Sequence, residues 1–317
     1  MKLDFNDGVK LKEVDQSFLD TYGVENIHSL MFISDAKIKN TSQVMFMELN
    51  IANHEVLLLY KYVKLMKVQF VRLLHTPITK PRNIELENKI LRMLSKHPQV
   101  QEIVTSEDDY IEHNISIPTT PDLYATDFYD PLDEELLNKV TKGKRRSKIK
   151  YTKYKDRINF RKANQDDYLD IINLMQAWMK NKSDNNDLFN KKTFNTVEKK
   201  FSMLLQDPFS VYVTTFDDEI IAFEVFAKEG DKVVQLVNQA FPSSECLQWG
   251  EVINKEIYDY CLKWHHMLTI QEFIKYPSIR TIEYEYASKF GGGLWNFKNM
   301  MYSKQRRIIR MKFKKED

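Results

Sequence analysis

Apolar and polar positions follow two periods along this 317-residue chain, and the changes of period mark its elements. In the first half, His54–Tyr62 and Val68–Leu74 are runs of Val, Leu, Tyr and Phe that predict strands, with a turn-like stretch around Lys64–Lys67 between them. Ile84–His97 places apolar residues at helical spacing and stops at Pro98. Val100–Val104 reads as a further strand. Ile117–Asp133 carries three prolines and several acids, which predicts a connection or an extended arm. Glu134–Val140 follows as a short helix.

The second half is more sharply patterned. Asn159–Lys162 is a short strand, and Asn164 is placed to cap a helix from Gln165 to Lys180. On that helix Tyr168, Ile171, Ile172, Met175 and Trp178 fall on one face. Phe194–Leu205 is a second amphipathic helix. Three strands then follow, Ser210–Thr215, Ile220–Ala227 and Lys232–Gln239, with turns at Asp217-Asp218 and Glu229-Gly230-Asp231. A helix at Gly250–His265, a strand at Ile279–Tyr286, a glycine loop, another helix and a strand at Arg307–Phe313 complete the order. Strands interleaved with helices give an α/β (α+β) class with mixed sheets. The length suggests two lobes, residues 1–130 and residues 131–317.

Composition adds exclusions. Hydrophobic and charged fractions, 43% and 29%, are those of a globular protein, and a net charge of +2 names no partner. No apolar run approaches the roughly 20 residues needed to span a bilayer. Met1–Asp7 has no apolar core of a signal peptide, so the expected compartment is the cytoplasm. Cys246 and Cys261 are then two free thiols, and Cys246 has no neighbouring cation or histidine to activate it. The seven histidines show no metal-ligand spacing; His265 and His266 are adjacent and point apart on a helix. No metal and no required cofactor are expected.

Candidate chemistry is concentrated elsewhere. Three of the eight glycines stand together at Gly291, Gly292 and Gly293, after an apolar stretch and before a helix-like one. Strand, glycine loop and helix start present free backbone N–H groups to an anion, and Lys298 one turn later adds a charge. The segment Lys142–Lys162 is strongly basic and interleaved with Tyr151, Tyr154 and Phe160, which suits a polyanion or a solvated face. A second basic cluster, including Lys304, Arg306, Arg307 and Arg310, follows the glycine loop. Asp122, Asp127 and Asp130 supply either a carboxylate base or an acidic arm lying against the basic segment. Glu224 shares a strand face with Ala222 and Phe226; it is a base candidate on a cleft, or otherwise an exposed-face glutamate. Tyr284 and Tyr286 share a face, as general acids or as core.

The order of elements in the second half resembles the GNAT acyltransferase fold. Gly293-Leu294-Trp295-Asn296-Phe297-Lys298 is similar to the G-L-x-x-F-K segment near the C-terminus of FemAB-type aminoacyltransferases and phosphatidylglycerol lysyltransferase-like proteins. Lys144-Arg145-Arg146-Ser147-Lys148-Ile149-Lys150 resembles the basic stretch that precedes their C-terminal lobe. The resemblance covers roughly residues 122–313 and implies a degenerate GNAT-like lobe before it. It implies transfer of an acyl or aminoacyl group, from aminoacyl-tRNA or acyl-CoA, to an amine or hydroxyl. Gly291–Gly293, Phe297, Gln239 and Gly250 would then line the donor, and Lys298 with Glu224 would serve the transfer. Gln235, Asn238 and Gln239 would bind substrate or bridge the splay between strands that this superfamily uses. Lys144, Arg145, Arg146, Lys148, Lys150, Arg306 and Arg307 would hold tRNA or another polyanion. The glycine-rich motif of acetyl-CoA users is missing between Gln239 and Gly250, where only Gly250 fits. FemAB-type proteins lack it too, and so would a non-catalytic nucleic-acid-binding descendant, which is the alternative reading.

Overall fold

The computed structural model describes residues 3–10, 44–65, 68–114, 121–142, 151–181, 188–229, 231–240, 260–288 and 304–313. In chain order the elements begin with β1 (Val9–Lys10), β2 (Val44–Ile51), β3 (His54–Leu65), β4 (Val68–Leu73), β5 (Ile78–Lys80), α1 (Ile84–Lys96), β6 (Val100–Ser106), α2 (Glu107–Glu112) and β7 (Asp122–Pro131). They continue with α3 (Glu134–Lys142), β8 (Ile158–Lys162), α4 (Tyr168–Asn181), α5 (Leu188–Leu204), β9 (Phe209–Phe216), β10 (Glu219–Glu229) and β11 (Lys232–Ala240). The last three are α6 (Cys261–Phe273), β12 (Thr281–Ser288) and β13 (Lys304–Lys312). They form two compact units, Met1–Tyr129 with Glu285–Asp317, and Asp130–Tyr284.

In the first unit the strand order is β1-β2-β3-β4-β6-β13-β7, with β5 on β3. Among the described pairs of this order β4 and β6 run parallel, paired at Val71–Val100, Arg72–Glu102 and Leu73–Ile103, and the others run antiparallel. The β2–β3 hairpin turns through two left-handed residues, Ala52 at φ 51° and Asn53 at φ 65°, which matches the twist of paired strands. The Asn83 side chain accepts from the Leu86 N–H and starts α1. Ile90, Leu91 and Leu94 of that helix then pack on Leu58, Tyr60, Val71, Ile103 and Met311. Met311 comes from β13, so the C-terminal strand is part of this core.

The second unit is an antiparallel meander, β8-β9-β10-β11, with β12 added parallel to β11. A capping box at Asn164 and Asp167 leads into α4, which lies against β10 and β11. The β9–β10 turn repeats the left-handed pair at Asp217 (φ 47°) and Asp218 (φ 68°). On the other face, Phe273 of α6 meets Phe226 and Tyr212 edge-on, and Trp264 packs with Phe216, Ile221 and Tyr154. Bulges at Ile221 and Leu236 break the simple alternation of β10 and β11.

Several expectations change. The proline-bearing arm is a sheet strand, β7, because Pro131 stands at its end where a missing N–H costs no interior ladder bond. Two of its acids lie in register with the second basic cluster on β13, Asp127 opposite Arg306 and Asp122 opposite Arg310. Of the helix expected at Gly250–His265, residues 250–259 lie outside the described residues, and the described helix α6 covers Cys261–Phe273. Strand β2, strand β5 and helix α2 had no counterpart in the sequence reading.

Candidate functional site

Where β11 meets β12, the parallel ladder holds three pairs: Lys232–Thr281, Val233–Ile282 and Val234–Glu283. Both strands continue, β11 to Ala240 and β12 to Ser288, past the last of these described pairs. The closed end is fixed from two sides. The Asp231 carbonyl accepts from the N–H groups of Arg280 (2.6 Å) and Thr281 (3.3 Å). Lys232 Nζ reaches Glu283 Oε1 at 3.1 Å, with both side chains buried. This ion pair spans the ladder, from Lys232 in its first pair to Glu283 in its last.

Gln235 is the first β11 residue beyond that pair. Its Nε2 donates to Glu224 Oε1 at 2.9 Å, and Thr269 Oγ1 donates to Glu224 Oε2 at 3.2 Å. His265, one turn before Thr269 on α6, brings Nε2 to 3.5 Å from the same Oε2. Its Nδ1 lies 2.7 Å from Thr214 Oγ1. Five polar side chains from β9, β10, β11 and α6 thus form one chain inside the unit, and Glu224 is 0% exposed. The exposed-face reading of Glu224 is therefore replaced. The face it shares with Ala222 and Phe226 is the one α6 covers, and a glutamate there persists because donors meet both oxygens.

Toward the end of α6, Glu272 accepts from Lys275 Nζ (2.8 Å) and Tyr276 Oη (3.0 Å), and these bonds hold its carboxyl below the usual range. The Tyr212 hydroxyl is pushed far up by burial, with Tyr276 and Glu272 adding to the shift. Tyr284 is fully buried, as the packing reading of that residue has it.

The remaining candidates divide by placement. Gly291, Gly292, Gly293, Phe297, Lys298, Gly250, Cys246, Lys144, Arg145, Arg146, Lys148 and Lys150 lie outside the described residues. Gln239 is on β11 beyond the last described pair with β12, its side chain outside the described set. Arg306 stands over the Tyr129 ring at 4.5 Å, and Arg307 Nη1 pairs with Glu107 Oε1 at 2.9 Å, both in the first unit. Among the described residues, no group of histidine, cysteine, aspartate and glutamate could hold a metal ion, and no helix is long and apolar enough to cross a membrane. Sequence reasoning weighed His265 only as a metal ligand and passed over Thr214, Thr269 and Glu283. The available signal was the i, i+4 spacing of His265 and Thr269 on an otherwise apolar helix face.

No protein-family model matches the sequence, and no curated protein matches it. Solved structures do match the fold. A conserved protein of unknown function from Bacteroides thetaiotaomicron is 12% identical with a TM-score of 0.67, over 97% of this chain and 99% of that one. FemX is 10% identical with a TM-score of 0.61, over 94% and 96%. L-PGS from Bacillus licheniformis is 12% identical with a TM-score of 0.56, over 96% and 93%. The chain has the FemAB/GNAT-like fold of two lobes, each a mixed sheet flanked by helices.

Proposed function

We propose that the chain is an acyl- or aminoacyl-transferase whose reacting groups are organised by the Glu224–Gln235–Thr269 network of the second unit. The observation that carries this reading is the fully buried Glu224 carboxylate, which accepts from Gln235 of β11 and from Thr269 of α6. The likeness in fold to FemX and to L-PGS over nearly the whole chain supports the same reading.

The acceptor nitrogen or hydroxyl oxygen attacks the donor carbonyl carbon. The bond from that carbon to the carrier oxygen or sulfur breaks, and the acceptor proton passes to a base or to water. Glu224 keeps Gln235 oriented on β11. Lys298 and the backbone of Gly291–Gly293 stabilise the oxyanion formed during attack. The basic stretch Lys144–Lys150 with Arg306 and Arg307 holds a polyanionic carrier, which favours aminoacyl-tRNA over acyl-CoA as donor.

The test offers acyl-CoA and aminoacyl-tRNA side by side, reading retention by native mass spectrometry and transfer by product mass. Retained tRNA that weakens on Arg145→Ala and Arg146→Ala supports the aminoacyl donor, and retained acyl-CoA replaces it with the thioester. Lys298→Ala is expected to lower turnover about 10²–10³-fold, the usual loss for one oxyanion donor, with carrier affinity kept. Carrier bound without transfer under any acceptor would instead favour the non-catalytic nucleic-acid-binding reading.

A further inference from the structure

We propose that the first unit carries an oxyanion site, formed by Arg72, Arg310 and Tyr124, that takes the phosphate group of a small molecule or headgroup. The site belongs to the first unit and does not depend on the transferase reading.

Arg72 on β4 and Arg310 on β13 flank β6 on one face of the sheet. Arg72 is opposite Glu102 and Arg310 opposite Val104, so their Cα atoms are two strand spacings across and two residues along the sheet apart, about 12 Å. Long guanidinium arms can converge over that span. Tyr124 stands within reach of both. It is the extra residue of a β7 bulge, since Ile308 pairs with Ala125 and Ile309 with Leu123. Bulges re-aim a side chain, and here the ring lies 5.6 Å from the Arg72 guanidinium carbon and 5.9 Å from that of Arg310. Beneath them Tyr124 packs on the buried Val104 and Ile308, giving the site an apolar floor that strengthens any ionic contact above it.

The charges on this face are unequally satisfied. Arg72 is bonded to Glu102 through two nitrogens, and both are largely buried. Arg310 has one contact with a carboxylate, Nη2 to Asp122 Oδ2 at 3.5 Å, and Asp122 is itself 55% exposed. Arg310 Nε is buried and makes no hydrogen bond among the described residues. A side chain with five donors in a planar fork, 30% exposed and held by one long contact, is set to receive an oxyanion. A phosphate monoester suits the pair better than a carboxylate. It carries nearly two negative charges and offers oxygens to both guanidinium groups.

The full chain is titrated calorimetrically with inorganic phosphate at low ionic strength, with acetate as comparison anion. Phosphate should bind and acetate should not, and Arg310→Met should weaken phosphate by at least about tenfold, the loss expected for a charge-assisted pair. Arg82→Ala, at an exposed arginine of the same unit paired with Glu112, should bind as the wild type does. Thermal unfolding of Arg310→Met checks that the fold is kept, and Arg310→Lys, which retains charge without the fork, should bind with intermediate strength. A second arm presents the phosphomonoester on vesicles containing phosphatidic acid. Vesicle retention lost with Arg310→Met assigns the site to a headgroup, and soluble binding without retention assigns it to a free phosphate. Equal phosphate binding by the wild type and a folded Arg310→Met, or no binding in either arm, overturns the site.

Discussion

Each unit buries a glutamate beside a histidine, and the two pairs are held differently. In the first, His113 Nε2 lies 2.9 Å from Glu87 Oε2, and His113 Nδ1 lies 2.8 Å from the Asp109 carbonyl. A carbonyl and a carboxylate only accept, so this ring must carry both protons. Thr79 donates its N–H (2.9 Å) and its hydroxyl (2.8 Å) to Glu87 Oε1, which completes an ion pair joining α1, β5 and the end of α2. In the second, His265 Nε2 stays 3.5 Å from Glu224, and its Nδ1 meets a threonine hydroxyl that can give or take a proton. The parallel ladders differ in the same sense. Arg72–Glu102 and Lys232–Glu283 each tie a three-pair ladder, but β4 ends at Leu73 with its ladder, whereas β11 runs on to Ala240. In the first unit the glutamate and histidine form a closed ion pair. In the second they belong to a network whose hydroxyls can reorient, and the proposed chemistry is sought there.

The largest effect should come from opening the closed pair. His113→Ala leaves Glu87 as a buried charge without its cation, and the expected loss is about 3–5 kcal/mol, read by urea unfolding. Its pH dependence follows from two opposed shifts. Burial pulls the His113 ring down, but its bonds to Glu87 and Asp109 outweigh this and leave the pKa above the ordinary 6.5. Burial pushes the Glu87 carboxyl up, but its bonds from His113 and Thr79 leave it below the ordinary 4.5. The histidine contribution is complete below 6.5 and is lost as pH rises through the raised value. The glutamate contribution is complete above 4.5 and is lost as pH falls through the lowered one. Wild-type stability from this pair should therefore be greatest between pH 4.5 and 6.5, and the His113→Ala protein should lack that maximum. A flat difference between the two proteins from pH 4 to 8 would show that the pair is not ionic.

Glu224→Gln probes the open pair. It keeps the shape and one acceptor, and Thr269 and Thr214 can reorient their hydroxyls, so the expected cost is about 2 kcal/mol or less. A loss as large as that of His113→Ala would mean that Glu224 and His265 are a closed ion pair too, and the contrast between the units would fail.

Little of this contrast is written in the sequence, for reasons particular residues make plain. The strands of the second unit and helix α1 were legible because Val, Ile and Phe repeat at the right period and Asn83, Asp217 and Asp218 mark ends and turns. Strand β7 was hidden by its flanking prolines and acids, which only the arginines of β13, almost two hundred positions away, make compatible with a sheet. The shared ladder device left no repeat to detect. One copy uses Arg directly opposite Glu, the other Lys two positions out of register with it, and interaction rather than identity is what the two units hold in common. Glu224 read as a surface glutamate because its donors, Gln235 and Thr269, are distant along the chain. The glycine loop and Lys298 remain where the motif alone placed them.

The smallest effect is also the most direct comparison, because it deletes the same hydroxyl from each unit. Thr79→Val removes one donor to Glu87 and also the acceptor of the Asn83 N–H, which lies 2.6 Å from Thr79 Oγ1 at the start of α1. Thr269→Val removes a single longer bond, at 3.2 Å, to Glu224. A hydrogen bond to a charged group contributes about 1.5–3 kcal/mol and a neutral one about 1, so Thr79→Val should cost more by roughly 1 kcal/mol. Both valines match the shape of the threonine they replace, so cavity terms largely cancel and the difference isolates how tightly each carboxylate depends on its donors. If Thr269→Val proved the costlier change, Glu224 would be the more strongly held of the two carboxylates, and the polar chain behind Gln235 would be as fixed as the one at Thr79.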